Sequence, residues 1–301
     1  MSTTRSERGQ AMVLSLVFLA VLLAMSAAVI DVGAWYRAHR QVQATADASA
    51  LAGVTSLPLS TGGASSLALD YANRNGAGVT SGDITFSGTQ SANDTIQVTA
   101  RKTVPGLFSS LFGLSSVTVR AHAKALTAVL GTARYAAPIG VDIKHPLLQC
   151  KPEPCFNQQT QLDLTKTGPG AFRLINIDGS KGGTPPGVLA DWMLNGFSGD
   201  MPLDWYFSDP GAKFDSSQIQ SALTQRIGSV MLFPVYDNTR KQGSNFQYEV
   251  VGWVGFYLTG FTARGSSGLL DGYFTSVVWE GIQGEAPTDD DFGARSVSLI
   301  E

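Results

Sequence analysis

Charge is scarce in this chain: 15% of its 301 residues are Asp, Glu, Lys or Arg, against roughly 25% in an average soluble protein. The net charge is −3 and no long basic run occurs, so the chain has no stripe to neutralise a phosphate backbone, and nucleic acid is excluded as a partner. Histidine is rarer still. His39, His122 and His145 stand far apart in the chain, and each reads as a surface or packing residue rather than an acid, base or ligand. There is no Gly-x-Ser-x-Gly elbow, His-Glu-x-x-His pair, phosphate loop or nucleotide fingerprint, so no catalytic residue, cofactor or small-molecule substrate is assigned. The acidic run Asp289-Asp290-Asp291 lacks the alternating spacing and bidentate Glu of a calcium loop and reads as a solvated turn.

Cysteine is limited to two residues, Cys150 and Cys155, in Cys-Lys-Pro-Glu-Pro-Cys. The two intervening prolines make a turn that can bring the sulfurs together, so a local disulfide is the favoured reading. Two free thiols, or half of a metal site without its other ligands, are the alternatives. A disulfide would place this part of the chain outside the cytoplasm.

What the chain does contain is a long apolar run. Residues 11–30, AMVLSLVFLAVLLAMSAAVI, carry no charge for twenty positions, which at ~1.5 Å per residue spans a ~30 Å hydrocarbon core. A core helix is seldom apolar around its whole circumference over such a length. A cleaved leader remains an alternative, with Ser26-Ala27-Ala28 offering small residues to a peptidase, but the run exceeds an ordinary leader's apolar region. The flanking cations, Arg5 and Arg8 before and Arg37 and Arg40 after, tie by the positive-inside count. The ten-residue tail is therefore expected in the cytoplasm and the long, weakly charged remainder outside it.

No proline occurs between the span and Leu57, so the helix is expected to continue over residues 31–57. Trp35 and Tyr36 fall at headgroup level, where amphipathic rings are favoured. Ala44, Ala48 and Ala52 recur every four residues, a face of small side chains that lets another backbone approach. That face packs either on the chain's own next module or on a partner helix. A second helix is read over 64–73, strands over 83–86 and 95–103 around a Ser91-Ala92-Asn93-Asp94 turn, a short helix over 105–112 with an apolar face of Leu107, Phe108, Leu111 and Phe112, and a strand over 117–129. Residues 58–130 thus form an α+β module.

Beyond a boundary near 131–137, glycine and proline punctuate apolar runs at 171–177, 230–236, 248–261 and 272–279, read as strands, with helices over 188–195 and 216–227. The fold class expected is α+β: one transmembrane helix continuing into a stalk, a small pilin-like module, and a β-rich distal domain over 131–301.

The stretch RSERGQAMVLSLVFLAVLLAMSAAVIDVGAWYRAHRQVQATADASALAG resembles the N-terminal segment of TadE/TadG-like Flp (tight adherence) pilus-assembly proteins. The resemblance rests on Arg8-Gly9-Gln10, Asp31-Val32-Gly33, Arg37 with Arg40, and Ala46-Asp47-Ala48 before Ala50-Leu51-Ala52-Gly53. A weaker match is FSSLFG at 108–113 followed by SSVTVRAHAKA. It implies a bacterial envelope protein, held in the lipid bilayer by one helix, with other pilus-assembly or envelope proteins as partners and a role in assembly or adhesion rather than catalysis. Asp31, Gly33, Trp35 and Tyr36 mark the membrane exit. Two departures matter. Leu14 stands where a prepilin peptidase cutting after Gly9 would want Glu. Asp178-Gly179-Ser180-Lys181-Gly182 lacks the final serine of the metal loop found in the distal part of many TadG proteins, and so reads as a glycine-rich turn. A membrane-tethered hydrolase, with a Ser or Cys meeting a histidine only in the fold, is the alternative of a different class.

Overall fold

In the computed structural model the described residues are 6–76, 78–151, 153–164, 173–210, 213–241, 245–264, 267–284 and 291–301. The protein is α+β and divides into two compact units, one of residues 1–126 with 298–301, the other of residues 127–297.

The first unit begins with α1, Ser6–Val54, an unbroken helix of 49 residues. Its apolar stretch has a mean hydropathy of 2.8 and is not buried by the other described residues. The half beyond residue 37 is packed. There the buried stripe runs through Val42, Ala46, Ala50 and Val54. Pro58 disfavours further helix at Leu57, and the chain turns into α2, Thr61–Asn75, whose N-cap Ser60 accepts the Gly63 N–H and whose C-cap is a left-handed Gly76. Ala64, Ala68 and Ala72, four residues apart, form the buried face of α2. The helices approach closely because Gly53 has no side chain. A Cβ there would lie 2.6 Å from Ile96 Cδ1 and 2.9 Å from the Ala64 carbonyl.

Three antiparallel strands complete this unit: β1 (Ile84–Ser87), β2 (Thr95–Pro105) and the first part of β3 (Ser116–Ala133). β2 pairs β1 on one side and β3 on the other, in register from Thr95↔Leu126 to Pro105↔Ser116. The β1–β2 turn is organised by Asp94, whose buried carboxylate accepts the N–H groups of Thr89, Gln90 and Ser91 at 2.6–2.8 Å. Burial alone would raise its pKa, but these bonds and the Thr95 hydroxyl bring it below the ordinary range. The last residues return here, Lys124 exchanging backbone hydrogen bonds with Ile300 and Glu301.

Two expectations are corrected in this unit. The helix expected over 105–112 shrinks to one 3-10 turn, Ser109–Phe112. Pro105 ends β2, and Gly113, at φ 87°, stops the turn by sending its N–H back onto Ser109 and Ser110. The apolar residues of that stretch, Leu107, Phe108, Leu111 and Phe112, are exposed. The boundary expected near 131–137 lies after residue 126, within a strand, because β3 runs straight through Gly131 to Ala133.

The second unit is built on one long sheet in the order β4-β8-β9-β10-β5, with β7 also on β9. Its strands are β4 (Val141–Asp142), β5 (Gln159–Asp163), β7 (Trp205–Phe207), β8 (Val230–Arg240), β9 (Gln247–Arg264) and β10 (Ser267–Thr275). All pairings are antiparallel except β4 with β8. Short strands β6 (Met201–Pro202) and β12 (Gly281–Gln283) pair the far end of β3, and β11 (Val277–Val278) runs parallel to β13 (Ala294–Leu299). Two helices, α3 (Pro186–Asn195) and α4 (Ser217–Arg226), each bury one apolar face. The core gathers Phe233, Trp253, Phe256 and Phe274, all at most 2% exposed.

The strand expected over 171–177 reduces, in its described part, to isolated bridges at Leu174 and Ile175. Residues 171–172 lie outside the described residues, as do Asp289 and Asp290. Cys150 and Cys155 are bonded, with Cα atoms 5.5 Å apart. So short a loop stabilises little, about 2 kcal/mol on the loop-closure estimate. Reductant should therefore lower the unfolding temperature of the purified protein by only a few degrees. Two alkylatable thiols without reductant would refute the bond.

Candidate functional site

The first unit carries its most unusual side chain at Asp31, immediately after the uncharged run. Its carboxylate is 2% exposed, a costly position for a charge without partners. The partners come from the β2–β3 hairpin tip, some 76 residues away: Asp31 Oδ1 accepts the Leu107 N–H at 3.0 Å, and Oδ2 accepts those of Phe108 at 3.0 Å and Ser109 at 2.6 Å. The Ser109 N–H foremost, with the other two, holds this carboxyl below the ordinary aspartate range against the opposing effect of desolvation. A helix side chain thereby caps a loop on a different element.

The neighbouring predicted residues are placed along the same stretch of α1. Gly33 is partly exposed, and a Cβ added there would meet nothing within 4 Å. Tyr36 is 61% exposed. Trp35 is half-buried, and its indole N–H has no acceptor among the described residues. Arg37, His39 and Arg40 are exposed.

Further along, the stripe buried within the unit differs from the face of Ala44, Ala48 and Ala52. Ala44 is exposed and Ala48 and Ala52 are half-buried, whereas Val42, Ala46 and Ala50 are fully buried. Positions two apart differ by about 200° around a helix, so the intramolecular packing stripe lies nearly opposite Ala44. Polar bonds fix this rotation. Gln43 Nε2 reaches the His122 carbonyl at 3.2 Å, and Lys102 Nζ donates to Gln41 Oε1 at 2.8 Å.

The second unit contains one histidine, His145. His145 is packed edge-on against Phe274 and sits 3.3 Å from Thr160 Oγ1. Its Nδ1 accepts the Leu147 N–H at 3.2 Å, so in the neutral ring the proton lies on Nε2, which donates to the threonine. Burial lowers the pKa of His145 and favours that neutral ring. The pair therefore cannot activate the hydroxyl, and both thiols are held in the disulfide. The hydrolase alternative draws no support from the described residues. The Asp178 loop is a closed turn: Asp178 accepts the Ser180 N–H at 2.9 Å, and Asn176 Nδ2 donates to the Ser180 and Gly182 carbonyls. Among the described residues no group of His, Cys, Asp and Glu side chains could hold a metal ion.

What remains is an α+β protein whose distinctive surface is a bare apolar helix, long enough to cross a membrane, with a hairpin tip tied to its end. Residues 9–56 match the TadE/G-like Flp pilus-assembly family. No curated protein and no solved structure matches the chain. The matched stretch ends just past α1. It holds the apolar run, Asp31, Gly33, Trp35, Tyr36 and the alanine positions, and nothing of the second unit. The match supports a role in Flp/Tad pilus assembly.

The sequence places Asp31 at the membrane exit but does not reveal it as the organiser of a distant loop. The signal it offers is an aspartate directly after an uncharged run of twenty residues.

Proposed function

We propose that the chain is a single-pass envelope protein that takes part in Flp/Tad-type pilus assembly or surface adhesion without catalysis, through helix packing and extracytoplasmic contacts. Residues 11–30 cross the bilayer with the N-terminus in the cytoplasm. The remainder of α1 is a stalk carrying a small pilin-like α+β module, and the β-rich unit beyond it meets other envelope proteins. The carrying observation is the coincidence of the family match at 9–56 with an apolar helix that none of the other described residues buries.

Gly33 and Ala44 add to this reading. Glycine inside a helix costs about 1 kcal/mol relative to alanine, and no contact within the unit requires it at position 33. A close-approaching partner helix would require it, and Ala44 leaves room on the exposed side of the same stalk.

A photocrosslinking residue at Ala44 should capture another pilus-assembly protein from native membranes, and a reporter fused after residue 301 should be active only outside the cytoplasm. A reporter active in the cytoplasm would reverse the orientation. Loss of the gene without loss of pili or adhesion would remove the assembly role.

A further inference from the structure

We propose that the β2–β3 hairpin tip, residues 106–114, is a second membrane contact: it inserts its apolar side chains into the phospholipid interface beside the end of the α1 span. The proposal rests on the reading of residues 11–30 as that span.

The placement comes first. Asp31 is the residue after the uncharged run, and its carboxylate holds the tip by the N–H groups of Leu107, Phe108 and Ser109. Helix side chains lean toward the N-terminus of their helix, so the tip is tied level with the end of the span and not farther along the stalk. A group held beside a membrane helix at that height meets the bilayer surface without help from any other partner.

The composition fits that location. Between Lys102 and Arg120 there is no charged residue. Leu107 is 63% exposed, Phe108 40%, Leu111 80%, Phe112 80% and Leu114 56%, an apolar cluster that a water-facing loop would not favour. Meanwhile most backbone N–H groups of the tip, and both of its serine hydroxyls between 106 and 114, are used within the first unit. The Gly106 N–H goes to Ser115, Leu111 to Phe108, Gly113 to Ser110 and Leu114 to Ser109. The Ser109 and Ser110 hydroxyls donate to the carbonyls of Leu114 and Leu107. Backbone donors satisfied inside and apolar side chains splayed outside suit a loop that enters the apolar edge of a bilayer. About 9 Å farther along α1, exposed Arg37 is positioned for lipid phosphates, and Tyr36 for the headgroup belt.

The test uses full-length protein in vesicles of phosphatidylcholine and phosphatidylglycerol. Because the native cysteines are bonded to each other, single nitroxide labels can be placed by Phe112→Cys, by Val21→Cys in the middle of the span, and by Leu59→Cys, an exposed site far along the unit. Collisions with dissolved oxygen and with a water-soluble nickel chelate report depth. The label at 112 should be severalfold less accessible to nickel than that at 59, open to oxygen, and roughly 5–10 Å into the interface. Leu111→Cys should repeat the result. Asp31→Ala should move the label at 112 back toward water while leaving that at 21 unchanged; an unmoved label would overturn Asp31 as the tether. A label at 112 as nickel-accessible as that at 59, with 21 still shielded, would overturn the insertion and leave the anchor standing. Shielding of 112 from both reagents would also overturn it, since protein rather than lipid would then cover the tip. Nickel access at 21 would instead overturn the anchor itself.

Discussion

Ala46→Glu should leave the first unit unable to fold, while Ala44→Glu, two residues away, should leave it intact. Ala46 has no exposed surface and lies on the stripe with Val42 and Ala50, on the helix that packs against α2 and β2. The closeness of that packing is measured at Gly53, where even a methyl group would fall 2.6 Å from Ile96. A glutamate at 46 adds several heavy atoms to a filled space, which costs about 1–3 kcal/mol, and buries a charge without a partner, which costs several kcal/mol more unless the group neutralises itself. The sum is comparable with the entire stability of an ordinary domain, about 5–15 kcal/mol. With residues 11–30 as the proposed span left untouched, the variant should reach the membrane fraction but become protease-sensitive and scarce. Ala44 is exposed, so its glutamate variant should accumulate normally and report on assembly alone, by losing crosslinks and pili. Normal abundance and protease resistance of Ala46→Glu would show that the packing stripe has been misplaced.

That pair also shows why the sequence could not choose the face. Alanine occupies 44, 46, 48, 50 and 52, so a four-residue recurrence can be drawn on either side of the helix. The choice is made by Val42, Gly53 and Val54, whose burial depends on where α2 and β2 lie. Local signals were legible where local chemistry decides. The Ser60 cap and Gly76 stop bound α2, the alternating Thr, Ile and Val of 95–103 lie within β2, and the aromatic run at 248–261 lies within β9. They failed at 105–112, where leucine and phenylalanine at helical spacing mimic a packed helix. There the backbone donors are taken by Asp31, a partner no window of neighbouring residues contains. They failed again over the described part of 171–177, where Leu174 and Ile175 are buried and make isolated bridges to other segments rather than a ladder.

In the second unit the largest effect is expected from Phe256→Ala. β9 is the central strand, and Phe256 lies between Met231 of β8 and Phe274 of β10 in register. Its ring stacks on Phe233 at 5.4 Å and meets Phe274 edge-on at 5.5 Å, geometries worth about 0.5–1.5 kcal/mol beyond burial. With no exposed surface at Phe256, Phe233 or Phe274, truncation leaves a cavity that its neighbours, held in hydrogen-bonded strands, cannot collapse to fill. The loss should be about 3–5 kcal/mol, a fall in unfolding temperature of roughly 6–20 °C for a unit of this size. Tyr257→Ala is the control. Tyr257 is only half-buried and stacks on Tyr273 at 4.9 Å, so its truncation should be clearly milder. Thermal unfolding of both variants decides the matter. Equal losses would mean that β9 is supported evenly on both faces, and that the aromatic cluster around Phe256 is not the keystone of the unit.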